Sequence, residues 1–348
     1  MAVPADAIYC SVVDGTSGIR RRRLLVCTRI HQKNANRPVD MDQVRKFLDG
    51  ALQYADGIAL AVGLQTPPPD YSEQIGNGTP NSSLMQSVTE AAREAERKAA
   101  DLLHSVGGRY GRMGKSLTSH GVEGGDTAIN REPTAGNGDG VEGREVMMDE
   151  EACKVRATVV PVTPWGNFTP ALNALLSFAA RDRADLVLFQ SLETSVGKEA
   201  ILDMESHMGP EDLVVGCALP GHDFRGGEMV ELTGVTTPWN TLALWDVPKL
   251  SKLGFLSVSE GLLPGVEAGV EEVAAIAALQ SLVGSDHARA KLVRLPQVEW
   301  QTEWEDEGRR RWHESKMASK LARADTQMQA LGINNGRVEH IALQHTGR

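Results

Sequence analysis

The sequence predicts an α/β fold, a mostly parallel twisted sheet flanked by helices. Three observations predict it. Short, almost wholly apolar runs such as LLVC, GIALAVG, DLVLFQ and DLVVGCAL recur along the chain, which suits strands buried on both faces. They alternate with segments whose apolar residues fall at helical spacing. With 348 residues, 41% hydrophobic and 24% charged, the chain can bury a substantial core.

Taken in order, RLLVCTRI (Arg23 to Ile30) is the first strand. Asp40 with Gln43 three residues on predicts a capped helix whose Val44, Phe47, Leu48, Ala51, Leu52 and Ala55 face the core. GIALAVG (57–63) is the second strand. A helix from about Leu84 to Leu103 carries a thin stripe of Leu84, Val88, Ala92, Ala95, Ala99 and Leu102, which places it on the outside of the domain. From about 107 to 150 the composition collapses to Gly, Asp, Asn, Glu and Thr, too polar to offset ordering entropy, and reads as a disordered insertion. VRATVVPV (155–162) resumes the sheet. Thr169 is expected to cap a helix with Pro170 in its first turn. DLVLFQ, a helix over 196–208, DLVVGCAL, TLALWDV, a short helix opened by Pro248, a helix over 269–283 and KLVRLP complete the pattern. The division expected is an arm over 1–22, one domain over 23–300, a charged helix over 301–331 and a flexible tail over 332–348.

A formal charge of −10 argues against nucleic acid as a partner. The basic run Arg20–Arg23 reads as a solvated strand entry. Four scattered cysteines, Cys10, Cys27, Cys153 and Cys217, have no metal-binding spacing and fit a reducing, cytoplasmic setting. No signal peptide or membrane span is expected. GRYGRMGKS (108–116) imitates a phosphate loop but has five residues where that motif needs four, and it follows a helix instead of a strand.

Ligands of open α/β sheets lie beyond the carboxyl ends of strands. DLVLFQSLET puts Ser191 and Glu193 at such an end. Glu193 there suits either a divalent cation neutralising a diphosphate or a cap on the next helix. PGHDFRGGE (220–228) offers His222, Asp223 and Arg225 in a Gly-rich loop, as a diphosphate or acceptor contact or as a surface turn. TTPWNT (236–241) offers Trp239 and Asn240, the indole as a sugar platform or as packing under a loop.

RRLLVCTRI, WGNFTPALNALLSFA with Gly166, Ala171 and Asn173, DLVLFQSLET, and NTLALWDVPKLSKLGF followed by GVEEV occur in an order that resembles a GT-A-type glycosyltransferase domain of the inverting family 2. The resemblance spans about 23–283 without the insertion and implies a GT-A-like (Rossmann-like) sheet. It implies a nucleotide-sugar donor near Thr28, Arg29 and Asn173, and Mn²⁺ or Mg²⁺ at the DxD place. It also implies a general base at the Glu-Asp place, with an unnamed hydroxyl acceptor. In this chain DxD falls on Ser191 and Glu193, and the Glu-Asp pair is Glu271-Glu272, with Glu272 as base and Glu271 beside it. The lost acid of DxD keeps a second class open, a catalytically eroded binding or scaffold protein. A nucleotidyltransferase expects glycines after the first strand, which CTRIHQKNANRP lacks.

Overall fold

The computed structural model describes residues 21–32, 38–66, 79–80, 82–113, 155–301, 311, 315 and 318–342. In chain order they form β1 (Leu24–Ile30), α1 (Met41–Ala51), β2 (Gly57–Gly63), β3 (Gln65–Thr66), β4 (Thr79–Pro80), α2 (Ser82–Met113), β5 (Arg156–Val162), α3 (Thr169–Arg181) and β6 (Leu186–Gln190). These are followed by β7 (Thr194–Ser195), α4 (Lys198–Ser206), β8 (Asp212–Cys217), β9 (Met229–Glu231), β10 (Leu242–Asp246) and α5 (Val247–Leu250). A 3-10 turn at Ser257–Glu260 then leads to α6 (Glu271–Val283), β11 (Arg289–Val293), β12 (Glu299–Trp300), α7 (Lys320–Leu331) and β13 (Arg337–Ile341).

The main sheet runs β5-β2-β1-β6-β10-β8-β11-β13-β9 among the described residues. β5, β2, β1 and β6 are mutually parallel, as are β8, β11 and β13. β10 is antiparallel between β6 and β8, and β9 is antiparallel to β13. The mostly parallel α/β class is therefore the one the apolar runs predict. Alternation along β1 divides the core in two. Leu25 and Cys27 face a cluster with α3 and α6, while Leu24, Val26 and Ile30 face one with α1, α2 and α4.

Asp40 caps α1 as expected, accepting the amides of Asp42 and Gln43 at 3.0 and 3.2 Å. The outer helix buries Leu84, Val88, Ala92, Ala95 and Ala99, the stripe read from sequence. It also runs on to Met113, so residues 108–113 of the false phosphate loop are helix.

The insertion expected from about 107 therefore does not begin there, since α2 covers residues 107–113. Two further expectations fail. The C-terminal segment is not all tail: Arg337–Ile341 pairs in parallel with β11 and antiparallel with β9, and Val338 and His340 are fully buried. RVEHI alternates charge with apolar bulk, so it gave no continuous apolar signal. Thr169 also does not cap α3, whose N-cap is Phe168 with no side-chain cap bond. The insertion expected over 107–150 lies, beyond Met113, outside the described residues, as do the 1–20 part of the arm, most of 301–319, and residues 343–348.

Candidate functional site

The carboxyl ends of β1, β2, β5, β6, β8 and β11 share one rim with the start of the antiparallel β10. Alternation turns Arg29 toward the α6 side, and its guanidinium reaches Glu271 Oε1 at 3.7 Å. Thr28 points the other way. It is 2% exposed, and among the described residues its hydroxyl has no partner, so it offers little to a soluble ligand.

α6 enters this rim through an unusual joint. Val270, its N-cap, has φ 49° and ψ 39°, a left-handed conformation that a β-branched side chain resists. The joint places Glu271 and Glu272 in the first turn, where the helix dipole favours carboxylates. Both are largely buried, 4% and 6% exposed. Glu272 Oε1 accepts the backbone N–H of Asn240 at 2.6 Å, and Asn240 Nδ2 lies 3.5 Å from Glu271 Oε1. Asn240 Oδ1 accepts the indole N–H of Trp245 at 3.0 Å, which fixes the amide. Burial, reinforced by the neighbouring Glu271, pushes the Glu272 carboxyl up to about 7, against the pull of the Asn240 amide and Lys320.

Glu193 sits in a turn closed by the Thr194 N–H on the Ser191 carbonyl at 3.1 Å. Its carboxylate accepts the Ser191 hydroxyl. It does not cap the following helix: α4 begins at Lys198 with Gly197 as N-cap and no side-chain cap bond. Ser191 N–H donates to the Thr241 carbonyl at 2.9 Å. The turn is thus stitched to the residue beside Asn240, on the edge that holds Glu271 and Glu272. Among the described residues no three His, Cys, Asp or Glu side chains gather to hold a metal. One carboxylate and one hydroxyl do fit a hard cation that draws its other oxygens from a diphosphate and water.

Other sequence candidates have different work. Trp239 is 2% exposed, with His222 stacked at 3.5 Å between ring centroids and Lys320 Nζ 3.0 Å from its centroid. Its ring is packed between them and has no face for a sugar. His222 accepts the Leu219 N–H at 2.9 Å through Nδ1 and meets the Thr237 carbonyl at 3.0 Å through Nε2. Burial holds it down to about 3, so it is a neutral packing post and not a cationic diphosphate contact. Asn173 spends both ends of its amide on the backbone of Phe255, at 2.8 and 2.9 Å. Asp223 remains exposed, ion-paired with Arg225 at 2.7 Å.

A residue the sequence reading missed is Glu260. Its buried carboxylate accepts the N–H groups of Asn167 (2.7 Å), Phe168 (2.8 Å) and Thr169, filling the start of α3 from 91 residues away. Gly166 leaves room for it. At φ 64° its glycine is conformationally required, and an added Cβ would come within 2.6 Å of Glu260 Oε2. Gly166→Ala is therefore expected to cost about 1–3 kcal/mol, read from urea unfolding.

A cavity of about 220 Å³ between Lys249, Lys252, Leu279 and His287 lies at the amino-terminal end of the sheet, opposite this rim.

No family model matches the chain, and no curated protein matches it. Among solved structures it is similar to glucosyl-3-phosphoglycerate synthase from Mycobacterium tuberculosis in complex with Mn²⁺ and uridine-diphosphate-glucose. The two are 11% identical with a TM-score of 0.38, over 86% of this chain and 79% of that one. So loose a likeness carries nothing about the site.

Proposed function

We propose that the chain is a GT-A-like glycosyltransferase moving a sugar from a nucleotide-diphosphate donor to a hydroxyl acceptor. The observation that supports it most is the glutamate pair, locked on Asn240 beside Arg29, at the same sheet rim as the Ser191–Glu193 turn. Glu272, ionising near neutral pH, takes the acceptor hydroxyl proton as that oxygen attacks the sugar's anomeric carbon. The bond to the diphosphate breaks with inversion, and its electron pair leaves with the nucleotide. Glu271 holds Arg29 in place, and the guanidinium lies where a departing diphosphate gains from a positive charge. A divalent cation held by Glu193, with Ser191 beside it, supplies further charge neutralisation when bound.

A second reading has its own support. Glu271 and Glu272 are nearly enclosed, and one Glu272 oxygen is committed to backbone. An eroded, non-catalytic binding protein would keep such a pair for packing. A thermal-shift panel of nucleotide sugars with and without Mn²⁺ separates the two. The transferase reading expects metal-dependent stabilisation by at least one donor, rising with ligand concentration. Glu193→Ala should remove most of that metal-dependent rise, a loss of about tenfold or more in donor affinity. Donors without effect on the wild type would support the non-catalytic reading.

A further inference from the structure

We infer that Tyr54 and Gln190 are positioning residues for the Ser191–Thr194 turn and, through it, for Glu193. The consequence for ligand affinity rests on the donor-binding role proposed above.

Gln190 is the last residue of β6. Its side chain follows Leu186 and Leu188 onto the face packed by α1, α2 and α4. It is 5% exposed, and so is Tyr54. An amide in such surroundings is costly unless both its ends are satisfied. Both are: Tyr54 donates its hydroxyl to Gln190 Oε1 at 2.7 Å, and Gln190 Nε2 donates to the Thr194 carbonyl at 3.0 Å. Leucine or methionine would fill the same space without the cost of burying an amide. What the amide adds is a tie on the far end of the turn.

That tie completes a frame. The Thr194 N–H closes on Ser191, while the Ser191 N–H and the Thr194 hydroxyl both reach the Thr241 carbonyl, at 2.9 and 3.3 Å. Glu193 lies inside the frame, and its own carbonyl accepts the Gln301 N–H at 3.0 Å. Tyr54, from the turn after α1, holds the amide oxygen so that the NH₂ end points at Thr194. The Glu272 side of the site hangs from Asn240 and α6 and makes no bond to this pair. Loosening the frame should therefore weaken capture of a ligand at Glu193 more than the proton transfer at Glu272.

The test uses the full chain carrying Gln190→Met, which keeps length and apolar bulk, and separately Tyr54→Phe. Amide hydrogen exchange at Thr194, calorimetric titration of the nucleotide sugar that stabilises the wild type at fixed Mn²⁺, and transfer kinetics are measured together. Faster exchange at Thr194 is expected in both variants, larger in Gln190→Met. Donor Kd should rise about tenfold for Gln190→Met with kcat within about twofold. Wild-type exchange at Thr194, or wild-type donor affinity accompanied only by a lower Tm, would overturn the inference. If no nucleotide sugar binds the wild-type chain, the donor reading fails on its own, and exchange at Thr194 decides the positioning role.

Discussion

Glu272→Gln is expected to abolish sugar transfer, by a factor of about 10²–10⁴, while the donor still binds. The substitution keeps the shape of the side chain and the oxygen that accepts the Asn240 N–H. It removes only the ability to take a proton. Stability supplies an independent check with a definite sign. Burial raises the folded carboxyl from 4.5 to about 7, so between those values the folded chain holds a proton the unfolded chain has released. The stability this group contributes is complete below pH 4.5 and is lost as pH rises toward 7. A Tm series from pH 4.5 to 8 should therefore fall less steeply in Glu272→Gln than in wild type. Wild-type transfer should rise through the same interval as the base ionises. Full turnover in Glu272→Gln would remove Glu272 from the chemistry.

Glu260→Ala is expected to produce the largest loss of stability, about 3–5 kcal/mol, or on the order of 10 °C in Tm. Its carboxylate is the shared acceptor for three N–H groups at the start of α3. The alanine leaves those donors short of partners in a place with little water. Glu260 also accounts for the short approach of the 3-10 turn to Asn167, whose Nδ2 bonds the Glu260 carbonyl at 2.7 Å. Glu260→Gln retains one good acceptor oxygen and should recover part of the loss. Urea unfolding of both variants beside wild type checks the order: wild type, Gln, Ala. A wild-type midpoint in Glu260→Ala would mean that solvent satisfies those amides as well.

The strands of the central sheet were legible because a strand buried on both faces must be almost uniformly apolar, and LLVC, IALAV, LVLF and LVVGC are. β13 was not, because His340 is buried by donating and accepting within the fold: it meets the Arg225 N–H and the Thr236 carbonyl. Local capping was read correctly at Asp40, where the cap lies two and three residues from its amides. It was misread at Thr169, where the acceptor comes from Glu260 and no local pattern reports it. In the candidate site, Ser191 and Glu193 stood out by their place at a strand end, whereas Glu271-Glu272, in the first turn of a helix, stood out only through the family resemblance. The sequence left Trp239 open between sugar platform and packing, and His222 between ligand contact and surface turn, since enclosure of that aromatic pair depends on Lys320 arriving from α7. The Tyr54–Gln190 tie joins residues 136 positions apart and leaves no periodic trace. Val270 in the left-handed region was equally hidden, because valine ordinarily argues against that geometry.

The central claim is that one rim of the sheet, between the Ser191–Glu193 turn and the Glu271-Glu272 pair, receives a nucleotide sugar. A crystal structure of the chain grown with the stabilising donor and Mn²⁺ tests it most directly. The account predicts donor density on that rim, with the diphosphate beside Arg29 and Glu193 and the anomeric carbon facing Glu272. Donor density at the opposite end of the sheet, around Lys249 and Lys252, with the rim closed to solvent, would contradict it.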